Sequence, residues 1–91
     1  MKEIAYPALF RLDEEEPKFI NVTFPDIWGA NTFGEGLLDA IYMAKDLLEV
    51  MLETAPAQCE PPHTLEYTQN NFPNDKVIMI KVRFDDSNGG K

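Results

Sequence analysis

The side chains best suited to chemistry in this chain are three acids near its centre, Asp26, Glu35 and Asp39. Metal-dependent nuclease chemistry needs several carboxylates converging on one spot, usually with one of them in the middle of a central strand. The first predicted strand carries no acid there, since its middle reads Tyr6-Pro7-Ala8-Leu9. An Asx turn before Gly29 explains Asp26, and the positive end of a helix dipole explains the other two. The pattern therefore predicts neither a metal site nor nuclease activity.

A second candidate for chemistry is the pair Cys59 and His63. The pair supplies at most two soft ligands, whereas a structural zinc site needs four. A nucleophilic Cys-His pair needs the two side chains in contact, and Pro61-Pro62 favours an extended segment that holds them apart. Gly29 and Gly34 do not form a phosphate-binding loop either, because no Lys-Ser/Thr follows them. We therefore expect no catalytic residues, no cofactor and no enzyme.

The net charge of the chain indicates which class of molecule it can bind. The chain has 91 residues, with 8 Lys and Arg against 16 Asp and Glu, and a formal net charge of −8. Such a surface repels phosphate backbones and attracts basic proteins. We therefore expect no direct binding of nucleic acid and a basic protein as the partner. The alternative is an acidic surface that only keeps the protein soluble.

Cysteine content and hydropathy indicate the compartment. Cys59 is the only cysteine, so no intramolecular disulfide can form. The first residues lack the apolar run of a signal peptide, and no stretch is long enough to cross a membrane. We expect one cytoplasmic domain, with no membrane association.

Apolar periodicity predicts four strands and one long helix. Alternation places strands at residues 3–12, 18–24 and 30–33, and again at Lys76–Phe84. Apolar residues at helical spacing predict a helix from residue 35 or 36 to Thr54, with Leu37 and Leu38 in the apolar stripe that packs on the sheet. The first three strands should form an antiparallel meander. Because a helix separates it from the others, the last strand should lie parallel to the first.

The rest of the chain connects these elements. Residues 3–55 and 76–85 should form the core of a single domain spanning 1–91, and residues 86–91 a flexible tail. Residues 56–75 should be a partly ordered connection, because a structureless loop of that length is unusual in a small domain. Within it, residues 63–72 could form a short strand or a helical turn. The roles of Cys59 and His63 stay open.

One motif lies at the start of the long helix. It reads Phe24-Pro25-Asp26-x-x-Gly29, then Thr32-x-Gly34, and is preceded by Tyr6-Pro7-Ala8 in the first strand. In this order and spacing the motif resembles the HicB-type antitoxin family of type II toxin-antitoxin pairs. The resemblance covers roughly residues 4–55, with a weaker match at 77–84.

The resemblance implies a fold and a function. The fold is α+β, a small partial ribonuclease-H-like arrangement of order β-β-β-α-β. The function is neutralisation, by direct binding, of a HicA-like toxin, a small basic protein that cleaves messenger RNA. The alternative is an orphan HicB-like domain that has no toxin and acts as an oligomeric or regulatory protein.

The chain departs from the family pattern in two places. The family usually has a Ser or Thr that caps the helix where this chain has Gly36. We therefore expect Gly36→Ser to stabilise the helix start by about 0.5–1 kcal/mol. Many members also continue into a DNA-binding module, whereas this sequence ends at Lys91.

The predicted partner-binding surface combines two segments. One is a run of four acids in the first hairpin, which could instead be a plain solvated turn. The other is the loop that contains Trp28, either an anchor for the partner or a lid on the core. The predicted binding residues are Asp13, Glu14, Glu15, Glu16, Asp26, Trp28, Asn31 and Phe33.

A second predicted contact lies on the long helix. Tyr42, Met43 and Val50 are apolar but fall outside the main apolar stripe of this helix. They could pack at the edge of the sheet or contact another subunit. Since the short chain also exposes a strand edge, we expect a homodimer or a higher even oligomer.

Overall fold

The computed structural model describes residues 2–84, and the predicted tail at 86–91 lies outside them. Four strands, two α-helices and one short 3-10 turn make up this part of the chain. In chain order they are β1 (Lys2–Leu12), β2 (Phe19–Thr23), β3 (Asn31–Glu35), α1 (Leu37–Thr54), the 3-10 turn (Pro56–Gln58), α2 (Leu65–Asn71) and β4 (Lys76–Phe84).

The strands form one sheet in the order β3-β2-β1-β4. The antiparallel meander of β1, β2 and β3 is confirmed. The predicted parallel last strand is wrong, because β4 runs antiparallel to β1: Lys76 lies opposite Phe10, and Phe84 lies opposite Lys2. The ribonuclease-H-like expectation, which included a parallel last strand, is not confirmed.

The connection between α1 and β4 explains the direction of β4. After α1, Cys59 forms a bridge with Ile27 in the loop between β2 and β3. The chain then passes through α2 and reaches the other end of the sheet, where Asp75 contacts Arg11 near the end of β1. The sequence predicted one helix, α1, between β3 and β4. Since α2 adds a further pass along the sheet, β4 begins where β1 ends.

The core lies between α1 and one face of the sheet. Its strand residues alternate as predicted, with Tyr6, Ala8 and Phe10 of β1 all buried. On α1 the fully buried contacts are small, Ala40 and Ala44, together with Leu48. Since small residues let a helix approach a sheet closely, α1 lies near β3.

Gly34 is the point of closest approach between β3 and α1. A Cβ atom at this position would lie 2.4 Å from the backbone nitrogen of Ala40. Leu37 and Leu38, predicted to belong to the buried stripe, are instead 42% and 84% exposed. The helix rests on the sheet through its alanines, so the first-turn leucines point away from the core.

Gly36 begins α1 in a conformation that only glycine adopts readily. Its backbone has φ 86° and ψ 167°, and no side chain caps the helix there. This part of φ/ψ space is essentially restricted to glycine. The expectation that a hydroxyl-bearing residue would stabilise this position is therefore wrong.

The second helix covers part of the opposite face of the sheet. Pro7, Leu9 and Val77 point away from α1, yet they are buried. Helix α2 contacts β4, and Asp75, just beyond α2, binds Arg11 on the same face as Leu9. The helical alternative for residues 63–72 is thus the observed one. Neither helix within residues 2–84 is long and apolar enough to span a bilayer.

Candidate partner-binding surface

The acidic turn between β1 and β2 is held in a fixed shape by its first residue. The Asp13 carboxylate accepts hydrogen bonds from the backbone N–H groups of Glu15 (3.2 Å) and Glu16 (3.0 Å). It also accepts one from the side-chain amide of Asn21 at 3.2 Å. These donors lower the pKa of Asp13, the Glu16 N–H most of all. Asp13 therefore organises the turn, while the exposed Glu14, Glu15 and Glu16 carry its available charge.

An aromatic pair lies beside this turn on the sheet face that points away from α1. The rings of Phe19 and Phe33 meet edge to face, with centroids 5.7 Å apart. Phe33 is 57% exposed. The ammonium group of Lys18 lies 5.2 Å from the centre of the Phe19 ring. A large apolar surface is thus open to solvent next to the acids.

The turn and the aromatic pair border one shallow depression of about 360 Å³. Its walls include Asp13, Glu15, Glu16 and Phe33, which were predicted, and Phe19 and Asn21, which were not. Asn21 lies directly opposite Phe33 across β2 and β3. The strand pattern could have identified Phe19, because Phe19 and Asn21 lie two residues apart on one face of β2.

Asn31 lies on the same sheet face, two residues before Phe33. Its side-chain oxygen accepts a hydrogen bond at 3.0 Å from the hydroxyl of Thr23, its partner across the strands. Both residues are exposed. Asn31 therefore extends the polar part of this face toward the loop between β2 and β3.

Trp28 lies in that loop and is 79% exposed. Its backbone N–H donates to the carbonyl of Gln58 at 3.0 Å, and the next residue, Gly29, has φ 79°. The loop is thus fixed by backbone contacts while the indole ring faces solvent. The interpretation of Trp28 as a lid on the core is wrong, and its role as an anchor stays a prediction.

Asp26 has a different role from the predicted one. It is 7% exposed, and both its carboxylate oxygens contact His63. The His63 backbone N–H donates to one oxygen at 2.9 Å, and ring atom Nδ1 lies 2.7 Å from the other. Neither contact is an Asx turn. Because the carboxylate is buried and both its oxygens are engaged by His63, Asp26 offers little surface to a partner.

The Asp26–His63 contact is one of several that attach residues 56–64 to the β2–β3 loop. The Glu60 N–H donates to the carbonyl of Asp26 at 2.9 Å, and the Tyr6 hydroxyl donates to the carbonyl of Glu60 at 2.7 Å. The His63 ring also stacks on Tyr67 of α2, with centroids 4.1 Å apart. The sequence did not predict these contacts, because Asp26 and His63 lie 37 residues apart and no local spacing indicates that they meet.

The thiol of Cys59, next to these contacts, faces backbone carbonyl groups and not a side chain that could activate it. The Cys59 thiol points toward the carbonyl oxygens of Ala55 (3.6 Å) and Met51 (3.8 Å) at the end of α1. Burial raises the pKa of this thiol, which disfavours the reactive thiolate. Burial likewise raises the pKa of the Tyr6 hydroxyl, and nearby negative charge adds to this effect. Nothing in these contacts activates a nucleophile.

The three acids considered for metal binding do not meet. Asp39 accepts a hydrogen bond from the Glu35 backbone N–H at 2.9 Å, which links the first turn of α1 to the end of β3. Asp26 lies beyond the opposite end of β3. Among residues 2–84, no group of three or more His, Cys, Asp or Glu side chains could hold a metal ion.

The comparisons with known proteins concern the fold. No family model matches the sequence, and no curated protein resembles it closely enough to count as a relative. The solved structure of the antitoxin HicB from Burkholderia pseudomallei superposes with a TM-score of 0.70, at 23% identity over 92% of this chain. A toxin-antitoxin complex from Streptococcus pneumoniae also gives a TM-score of 0.70, at 22% identity over 90% of this chain.

This chain spans 65% of the Burkholderia chain and 70% of the Streptococcus chain. At these identities the likeness concerns the fold. This likeness in fold agrees with the resemblance of the sequence motif between Tyr6 and Gly34. The chain therefore has the fold of the solved HicB antitoxin, which confirms the resemblance in its sequence but not the predicted single helix and parallel last strand.

Proposed function

We propose that this protein is an antitoxin that neutralises a small basic toxin by binding it directly. The observation that carries the proposal is the likeness in fold to the HicB antitoxin over 92% of the chain. The second neighbour is itself a toxin-antitoxin complex. The toxin that the sequence motif suggests is a HicA-like protein that cleaves messenger RNA, and this protein would act in the cytoplasm with it.

The charge of the chain supports this proposal. A toxin that acts on RNA needs a positive surface for the phosphates, and a chain of net charge −8 can cover such a surface. Opposite charge also steers the two proteins together and speeds their association. The protein needs no catalytic group for this function, and we propose that it is not an enzyme.

The test is co-expression in a bacterial host. The candidate toxin would be a small basic chain encoded next to this one, and its induction alone should arrest growth. Simultaneous expression of this protein should restore growth, and the two chains should co-purify. Growth arrest that persists although the folded protein is present would overturn the proposal.

A second candidate function is that of an oligomeric or regulatory domain without a toxin. The observation that favours it is the apolar surface of α1, where Leu38 is 84%, Tyr42 66% and Val50 46% exposed. A homodimer or higher even oligomer would bury these side chains. Light scattering at about 100 µM, where a dimer of ordinary affinity is fully formed, separates this candidate from a monomer.

A further inference from the structure

The exposed face of β2 and β3 has the shape and composition of a docking surface. At its centre are Phe19 and Phe33, which meet edge to face and leave Phe33 more than half exposed. Exposed aromatic rings in a fixed arrangement are typical anchors of protein interfaces. In the described part of the chain, neither helix covers Phe33.

The rim of this surface is predominantly acidic. Glu15 and Glu16 border it on the side of the turn, and Glu35 lies opposite Phe19 across β2 and β3. The cation of this face on β1, Arg11, is already engaged by both carboxylate oxygens of Asp75. Three carboxylates therefore surround the rings, against the single ammonium group of Lys18.

The structure itself shows which kind of group the rings accept. Lys18 places its ammonium group over the Phe19 ring, 5.2 Å from its centre. The face of an aromatic ring attracts a cation, and arginine makes such contacts most often. Phe33 is the neighbouring ring, and no cation of residues 2–84 is placed over it. An arginine or lysine from outside would find the same environment there.

The backbone of β3 adds a second means of recognition. In the sheet of residues 2–84, β3 is an edge strand that pairs with β2 on one side only. An extended segment can add to such an edge through main-chain hydrogen bonds, with its alternate side chains on one face. A second copy of this chain is disfavoured, since it would bring the same acids against each other.

From these observations we infer that the β2–β3 face docks an extended basic segment of the partner. The segment lies along β3 and places an arginine or lysine against Phe33, within reach of Glu15, Glu16 and Glu35. This inference rests on the proposed function for the identity of the partner, which is then the basic toxin. It assigns the contact to this face rather than to the loop that carries Trp28.

The first test uses the full chain, labelled with ¹⁵N, and an acetylated hexa-arginine peptide at low salt. We expect the shifts of the amide resonances to concentrate at residues 13–21 and 31–35. Shifts spread over the acids of α1 as well would overturn the inference, because they would indicate unspecific attraction.

Matched variants sharpen this test. The turn variant carries Glu15→Lys and Glu16→Lys, and the helix variant carries Glu49→Lys and Glu53→Lys on α1. The two variants change the net charge equally, but at different places on the surface. The turn variant should bind the peptide at least about fivefold more weakly than the helix variant, as expected for two lost charge pairs. Phe33→Ala should also weaken binding, whereas Tyr42→Ala, which removes an exposed ring on α1, should not. Equal losses within either pair would contradict the assignment.

A second readout separates this inference from the proposed function. In the co-expression assay, the turn variant should rescue growth less well than the helix variant, with both folded at the same level. Full rescue by the turn variant would overturn the docking site and leave the antitoxin function intact. Peptide binding at this face without any rescue by the wild-type chain would overturn the antitoxin function and leave the docking site intact.

Discussion

Replacing Gly36 with serine tests how α1 begins. The backbone at this position has φ 86° and ψ 167°, where a side chain costs about 1–3 kcal/mol. A Cβ atom would meet no atom within 4 Å, so the cost comes from the backbone and not from a clash. In return, a serine cap improves on glycine by only a few tenths of a kcal/mol. We therefore expect Gly36→Ser to destabilise the protein by about 1–2 kcal/mol, the opposite of the sequence-based expectation.

The assay is thermal unfolding followed by circular dichroism. For a domain of this size, 1 kcal/mol corresponds to about 4–8 °C, so the Tm of Gly36→Ser should fall by at least about 4 °C. A matched control is a D-alanine at position 36, introduced by chemical ligation. A D-residue adopts positive φ without strain, and it also restricts the unfolded chain. Its Tm should equal or exceed that of the wild type.

Two results would contradict this prediction for position 36. If Gly36→Ser raised the Tm, the helix start would adopt an ordinary cap conformation. If the D-alanine variant lost as much stability as the serine variant, the cause would be crowding and not the sign of φ. In either case the local geometry at Gly36 would differ from the one described.

Four further predictions follow from the structure. Gly34→Ala should destabilise the protein by about 3 kcal/mol in denaturant titration, because the new methyl group meets the backbone of α1; a loss below about 1 kcal/mol would mean that the helix moves away easily. Asp26→Ala should cost about 1.5–3 kcal/mol by the same measurement, since it removes both contacts to residue 63, while Asp26→Asn should cost less. Hydrogen bonds from Arg11 lower the pKa of Asp75 below its ordinary value of 3.8, so this pair stabilises the fold above that pH, and the stabilisation is lost as the pH falls through the lowered pKa. The Tm difference between wild type and Arg11→Met should therefore narrow below about pH 4, and a Tm difference that stays constant would contradict this role of the pair. Trp28→Ala should change the free energy of unfolding by less than about 0.5 kcal/mol because the ring is exposed, and a larger loss would restore its interpretation as a lid.

The sequence predicted those strands and helices whose apolar residues recur at a regular spacing, because that spacing reflects burial of one face. Alternation of apolar residues placed all four strands within a few residues, and helical spacing placed α1 from residue 35 or 36 to Thr54 against the observed Leu37–Thr54. The direction of β4 was not accessible in this way. It depends on α2, a short polar helix whose sequence does not show a clear period, and α2 was left open between a strand and a helical turn.

Gly34 and Gly36 show how much a sequence pattern leaves undetermined. Gly34 in β3 and Gly36 at the start of α1 lie two residues apart, yet one allows close packing against Ala40 and the other provides a positive φ. The sequence alone suggested a missing cap at Gly36. Only the backbone geometry distinguishes a glycine that could be replaced from one that is needed.

The predicted binding residues divide for a similar reason. The acids of the turn and Phe33 come together because β2 and β3 pair in register, which alternation allows one to anticipate. Asp26 was assigned to the same surface from its place in the loop. Its contact with His63 joins distant parts of the chain, and burial of the carboxylate removes it from the surface.

The most direct test of the antitoxin function is the affinity between this protein and any small basic chain encoded beside it, measured by titration calorimetry at low and physiological salt. We expect a stoichiometric complex with a Kd below about 100 nM, weakened by salt and weakened again by reversing the charges of Glu15 and Glu16. No binding of the folded chains at about 10 µM, or binding that is unchanged by salt and by these substitutions, would contradict it.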